Sequence, residues 1–537
     1  MAVKLGNGNW AVKEDKLLAY NDNSGLFFNK EFDFSRGTSA TYVAKDGLIK
    51  TAGIQPNIVT NGTFETDSDW TKTNATISGG VATITVVGGA YSLISQSITY
   101  QSGKIYKLTA QVQGTSGKAC TFFDNGSNTG GLGISNGVIN FDGSLQNVNI
   151  TFTANSNSNQ LLVIRNGSGD YTFTVDSVSV QEIQTDTPRI DFTNDTKGHL
   201  LLEPSRTNLI TYSEDFSDSS WTINGATITS NSIISPNGTL NATKLVENSS
   251  NSQHKIQETS NPITAGNVVY SQFVKKGERN KVLLELGGGG GGSAKFDLDL
   301  GVVISQSSVN ATITKFNDNW YRCSVSFTST SSSVYLGTYI LDDTETLSYQ
   351  GDGTSGVYIW GAQLEQGSYA TSYIPTTGAT STRNADVCNN SGSAQDFNSE
   401  EGVLYAEIAG LAEDIGASKN FAISDGTNNN AVKFVFKIAG SQIGLILRSN
   451  ATTTVSMTYN MPVSNFFKMA FKYKANDCAL WVNGTEVLTD TNATMPLALS
   501  TLQFDRGDGA NDFIGKVRNV QVFTEALTDE QLEKLTS

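Results

Sequence analysis

Two histidines, four cysteines and many carboxylates carry the acid–base, thiol and metal chemistry open to this sequence. His199 and His254 stand far apart and in no spacing used by a metal site or a Ser-His pair, so both read as structural or solvated imidazoles. Cys120, Cys323, Cys388 and Cys478 form no C-x-x-C pair, which argues against a zinc knuckle or a disulfide framework and for free thiols. Carboxylates are a different matter, because glycoside cleavage needs only two of them and those meet in space rather than in sequence. No compact Glu-x-Asp-x-x-Glu strand motif is present, and catalysis is not expected. The glycine run Gly287–Gly292 lacks the Lys-Ser/Thr and the following helix of a phosphate loop. It reads as a long, flexible hairpin tip, with close packing against a neighbouring subunit as the alternative.

The elements that would position any site are strands. Val, Ile, Thr, Tyr and Phe recur in short runs separated by Gly, Asn, Asp and Ser, and apolar residues at helical spacing are scarce. At 537 residues the chain is too long for one core and predicts roughly three or four domains. A net charge of -15 without a basic stripe excludes nucleic acid as a partner, since phosphate backbones are held by clustered Lys and Arg. The start "MAVKLGNGNW" has no apolar core of signal-peptide length, and the most apolar stretch, "GGVATITVVGGAYSLI", is broken and shorter than a membrane span. A soluble chain made in the cytosol, without membrane insertion, is the expectation.

Two segments open alike: "NIVTNGTFETDSDWT" from Asn57 and "NLITYSEDFSDSSWT" from Asn208. Each sets Asn before an apolar strand, then Phe (Phe64, Phe216), an acidic turn and Trp (Trp70, Trp221). Each repeat closes on an alternating strand, "YTFTVDSVSVQEI" and "GVYIWGAQLEQG". Such bracketing predicts two jelly-roll β-sandwiches. Trp70, Trp221, Trp320, Trp360 and Trp481 lie in or beside strand patterns and read as core; exposed platforms for sugar rings are expected among loop tyrosines.

The series "DFSRGTSATYVAKDGLIKTAG", "TPRIDF", "LLLEPSRTNLITYSEDF" and "WGAQLEQGSYATSYIPTTGATSTRNADVC" resembles a recurrent framework of bacteriophage virion proteins, the tail-fibre, head-fibre and other appendage proteins. The likeness spans roughly residues 1 to 388. In that family "GLI" runs almost directly into "PRIDF", so the first jelly roll looks inserted, and it resembles a carbohydrate-binding module. Beyond the seam, "KNFAISDGTNNNAVKFVFKIAG", "ALWVNGTEVL" and "DFIGKVRNVQVF" resemble the concanavalin-like laminin-G/pentraxin sandwich. The residues themselves predict a hairpin turn at Asn483-Gly484 and a terminal helix boxed by Thr528 and Gln531.

The expected fold is therefore all-β and multidomain: two jelly-roll β-sandwiches plus a C-terminal concanavalin-like sandwich. The expected boundaries are a framework and virion-anchoring segment 1–56, an inserted jelly roll 57–184, a return of framework 185–206, a second jelly roll 207–375, a linker 376–396 and the terminal sandwich 397–537. In the carbohydrate-binding modules that the insert resembles, an acidic residue after the first-strand Phe and an Asp in the last strand help to bind a structural calcium. The matching positions are Glu65 and Asp176. No calcium is expected in the second sandwich, where Gln363 stands near the closing position. The resemblance implies a virion component, localised to the particle, without catalysis. It would bind host-surface polysaccharide, associate with other virion proteins and act as a homo-oligomer. A purely structural spacer and a polysaccharide depolymerase are the competing readings.

Overall fold

The computed structural model describes residues 2–5, 11–13, 16–21, 28–88, 91–124, 137–154, 159–166, 169–411, 418–437 and 441–537, so parts of the amino-terminal segment lie outside the described residues. The protein is all-β and multidomain; Asp529–Thr536 is the one α-helix among the described residues. Two compact units divide the chain, one of Ala52–Thr185 and one of Met1–Thr51 with Asp186–Ser537.

In the smaller unit, two five-stranded sheets share one core. The strand Ile105–Gly114 shows why: Tyr106, Leu108, Ala110 and Val112 are buried while Lys107, Thr109 and Gln111 are not, the period-two alternation that a half-covered sheet demands. The opening stretch runs beside the closing strand Tyr171–Ile183, with Ile58 N–H donating to the Val180 carbonyl and Val178 N–H to the Gly62 carbonyl. Both ends of the unit thus lie together, and Gln184 N–H reaches the Gly53 carbonyl at 2.9 Å.

The larger unit holds the other two sandwiches. The second jelly roll pairs two six-stranded sheets, with Gly356–Gln366, Gly266–Lys276, Trp320–Ser329 and Asn310–Lys315 adjacent in one of them. The concanavalin-like sandwich pairs a five-stranded sheet with an eight-stranded one. Framework segments join that larger sheet: Ile190–Asp191 and His199–Leu202 extend it, and Ala2–Leu5 pairs with Gly515–Phe523. The strand Phe28–Ser35 pairs with Val387–Asn389 just past the seam. Asn483 and Gly484 both take positive φ, as the hairpin requires, and Thr528 and Gln531 cap the helix reciprocally.

The two repeats are superposable in their hydrogen bonds. Asn57 Oδ1 accepts from Val59 and Val180 N–H; Asn208 Oδ1 accepts from Ile210 and Leu364 N–H. Trp70 Nε1 donates to the Asn61 carbonyl and Trp221 Nε1 to that of Tyr212, both at 3.0 Å. All five tryptophans read as core from the sequence are buried.

The glycine run is the tip of the hairpin Lys281–Gly287/Gly292–Asp297, as expected, but it is packed rather than loose. A Cβ on Gly287 would meet the Tyr335 ring at 2.0 Å, and one on Gly291 the Leu286 carbonyl at 2.2 Å, so the run is packed backbone to neighbour within its own sandwich. Of the run, only Gly290 is exposed. The four cysteines are free and buried.

Candidate functional site

The framework motifs converge on one buried set of charges in the larger unit. Arg189, from "TPRIDF", is fully buried; it donates to Glu203 at 2.7 Å, to the Thr41 carbonyl at 3.0 Å and to Asp386. Arg36, from "FSRG", donates to Asp386 at 2.9 Å and to the Thr187 carbonyl at 3.1 Å. Arg383, from "STRNAD", pairs with Glu203 at 3.1 Å and donates to the Pro204 carbonyl at 2.7 Å. Ser372 closes the set, its N–H and hydroxyl both donating to Glu203. Burial alone would raise the Glu203 carboxyl, but Arg383 and Arg189 hold it well below the usual carboxylate range. Burial and the neighbouring Arg189 push Arg36 down to about 10. The exit stretch from Gly361 to Cys388 is thus not a free linker: it folds back and is clamped by these ions. Residues up to 350 positions apart meet here, which no local pattern foretells.

Beside this clasp lies a groove of about 530 Å³. Alternation explains its floor. In Trp320–Ser329, Cys323, Val325 and Phe327 enter the sandwich core while Arg322, Ser324 and Ser326 point into the groove. In Asn310–Lys315, Ala311 and Ile313 pack on the core while Asn310, Thr312 and Thr314 line the groove. One wall is the hairpin carrying Tyr42 with Asp191 and Asn194; the other is the 368–373 loop with Tyr369; Lys516 of the terminal sandwich lines it too.

The groove is rich in uncommitted polar groups. The side chains of Asn310, Thr314, Tyr42, Asn194 and Lys516 make no hydrogen bond or ion pair among the described residues, whereas Thr312 and Ser324 hydroxyls bond each other at 2.6 Å. Arg322 donates to the Thr371 carbonyl at 2.6 Å and to Ser271 at 2.9 Å, and its guanidinium lies 5.2 Å over the Phe273 ring. Asp191 accepts from Val43 and Thr193 N–H, both at 2.8 Å. Both carboxylates of the groove are therefore acceptors already in use, and Glu203 is shifted the wrong way for a general acid. Tyrosine faces with free hydroxyls and amides around them suit a polyhydroxylated ligand, which offers flat C–H faces to stack and many groups to hydrogen-bond.

The two histidines are structural elements. His199 is buried with Nδ1 at 2.9 Å from Asp195, and His254 lies between the carbonyls of Gly225 and Tyr349.

Glu65 and Asp176 border one turn of the first sandwich. Glu65 is exposed, and its Oε1 together with the Thr63 carbonyl comes to about 4 Å from where a Cβ on Gly80 would stand. Asp176 follows Val175, which pairs with Ala82, and its Oδ1 accepts from Ser177 N–H at 2.5 Å. No group of three His, Cys, Asp or Glu side chains suited to a metal occurs among the described residues. A calcium ion here would take Glu65, Asp176 and backbone oxygen such as that of Thr63, a donor set of the hard kind it favours.

The second sandwich replaces that corner. Val178 N–H donates to Gly62 and Ala362 N–H to Ser213, which aligns the closing strands; two residues back stand Asp176 and Trp360. Both strands kink at the next residue, Ser177 and Gly361, each at positive φ. The counterpart of Asp176 is thus Trp360, not Gln363, and it packs against Phe273 and Tyr373.

No protein-family model matches the chain, and no curated protein matches it. Among solved structures, the CBM40 of the Ruminococcus gnavus IT-sialidase bound to alpha2,3 sialyllactose is 16% identical, over 28% of this chain and 94% of that one, with a TM-score of 0.23. A CBM4 structure is 15% identical over 23% of this chain and 99% of that one, with a TM-score of 0.19. The CBM22-1-CBM22-2 tandem domain from Paenibacillus barcinonensis Xyn10C is 11% identical over 59% of this chain and 98% of that one, with a TM-score of 0.20. Likeness at this level adds no weight to a functional reading. Among the described residues no helix is long and apolar enough to cross a membrane.

Proposed function

We propose that this chain is a glycan-binding display component of a bacteriophage virion, a tail fibre, head fibre or other appendage, and that it works without catalysis. The groove carries the binding part of the reading: tyrosines and unsatisfied hydroxyl and amide groups line a cleft whose two carboxylates are already committed. The virion part rests on the resemblance of the framework motifs to phage appendage proteins. Partners would be host-surface polysaccharide and other virion proteins. Binding per site is weak, because a hydrated sugar exchanges water hydrogen bonds for protein ones nearly one for one. Many copies on a particle, as a homo-oligomer would present, supply the avidity.

Incubating the purified chain with host surface polysaccharide, and measuring both retention and newly released reducing ends, tests the binding reading. Retention without product is expected, and Asn310→Ala with Thr314→Ala should abolish it. Steady product release would favour the depolymerase. Neither retention nor product across a broad glycan panel would favour the spacer. Antibody labelling of intact particles tests the virion assignment, which fails if the protein is absent from them.

A further inference from the structure

Resting on the groove reading above, we propose that the groove selects carboxylated glycans over neutral ones. The whole chain carries -15, so long-range electrostatics would repel an acidic sugar; the groove is where that rule is reversed. Both bonds from Arg322 go to neutral oxygens, the Thr371 carbonyl and the Ser271 hydroxyl, and its Nε is buried with no partner. Among the described residues no carboxylate is bonded to this guanidinium. Glu365, the acid that influences it most, is occupied by Thr371 N–H at 3.0 Å and by the Thr371 hydroxyl. Lys516 supplies a second cation, half-buried on the groove lining and in no ion pair among the described residues.

The acids of the groove offset these charges only in part. Glu203 is taken by Arg189, Arg383 and Ser372, and Asp191 is anchored by two backbone N–H groups. Taken together, the groove and the clasp behind it set five cations, Arg36, Arg189, Arg322, Arg383 and Lys516, against four carboxylates, Glu203, Asp386, Asp191 and Glu365, an excess of one positive charge. In a partly enclosed cleft of lowered dielectric an unneutralised cation favours an anion, and a sugar carboxylate can meet the Lys516 ammonium while its hydroxyls meet Asn310 and Thr314. Arg322 acts through its field, since its Nε is closed to solvent.

The test compares binding of the full chain to a uronic-acid oligosaccharide and to the same oligosaccharide with its carboxyls reduced to alcohols. The acid form should bind about tenfold tighter, the worth of one partly screened charge pair. The advantage should shrink as salt rises from about 0.05 to about 0.5 M. Lys516→Gln should remove most of it without lowering the melting temperature, while Asn310→Ala with Thr314→Ala should weaken both ligands alike. Equal binding of the two oligosaccharides would overturn the selectivity and leave the groove reading standing. Acid binding left undiminished by the Asn310/Thr314 double variant would place the anion elsewhere and overturn it too. Failure of both ligands to bind would sink the groove reading together with this one.

Discussion

Asp176 and Trp360 occupy one position in two sandwiches built from a single repeat, and Gln96 and Glu258 occupy another. The second equivalence follows from register: Thr71 pairs with Ser95 and Thr222 with Gln257, so the next residues, Gln96 and Glu258, correspond. In the first sandwich the carboxylate stands at the turn corner and the interior position carries an amide, whose three bonds tie Thr60 and Asp69 into the fold. In the second, the corner is an indole in an aromatic cluster with Phe273 and Tyr373, and the interior position is a buried carboxylate. That cluster shelters the loop and hairpin that wall the groove. The same scaffold thus carries a carboxylate corner in one copy and walls a groove in the other. What differs is which positions the framework covers, since only the second sandwich shares its compact unit with the framework strands.

The largest expected effect comes from cutting the framework's hold. Asp386→Asn leaves Arg36 and Arg189 buried without their shared carboxylate and should cost the larger unit about 3–5 kcal/mol. Hydrogen exchange reads it directly: protection should fall in Arg206–Asn208 and Ser381–Arg383 and stay unchanged in Ile105–Gly114. Equal loss in both would mean that the clasp does not act within one unit.

The corner sharpens the contrast. If calcium binds Glu65 and Asp176, saturating calcium should stabilise the first sandwich by about 3 kcal/mol at roughly a hundredfold excess over its Kd, and chelation should remove that. Glu65→Gln with Asp176→Asn should make the melt indifferent to chelator. The second sandwich, with Trp360 at this position, should show no response. A melt unaltered by chelator would end the calcium reading.

A smaller effect is expected inside the second core. Burial pushes the Glu258 carboxyl up from the ordinary 4.5 to about 7. The folded state therefore keeps a proton that the unfolded chain releases. The stabilisation this brings is fully present below the ordinary value and is lost as pH rises through the raised one. Glu258→Gln copies Gln96 of the first sandwich, should stabilise the second by about 2 kcal/mol at pH 8, and should flatten its stability between pH 5 and pH 8. A variant whose pH slope matches the parent would show that Glu258 is not the titrating group.

Much of the fold was legible because its signals are local. The repeats announce themselves in Asn, Phe and Trp at matching spacings, Asn483-Gly484 demands its turn, and Thr528 with Gln531 needs only three residues to be seen. The site was not legible, for three physical reasons. The clasp joins Arg36 to Asp386 across most of the chain, and an arginine in a motif gives no hint of whom it will meet. The groove floor is Asn, Thr and Ser facing outward from strands, which in sequence is indistinguishable from any solvated sheet face. The glycine run sits at a hairpin tip as its composition suggests, but its packing is a clearance set by Tyr335 and Phe327 on strands that follow it, which the run itself does not reveal. Loop tyrosines were the expected platforms, and Tyr369 does line the groove, yet nothing in its neighbours distinguishes it from the others.

The measurement that bears most directly on the groove is to locate a bound acidic oligosaccharide on the full chain, by crystallography or by paramagnetic mapping. The ligand should lie between Thr314 and Tyr369 with its carboxylate toward Lys516, and that density should be lost in the Asn310/Thr314 double variant. A ligand seated on the first sandwich, or one whose position is untouched by the double variant, would contradict the groove reading.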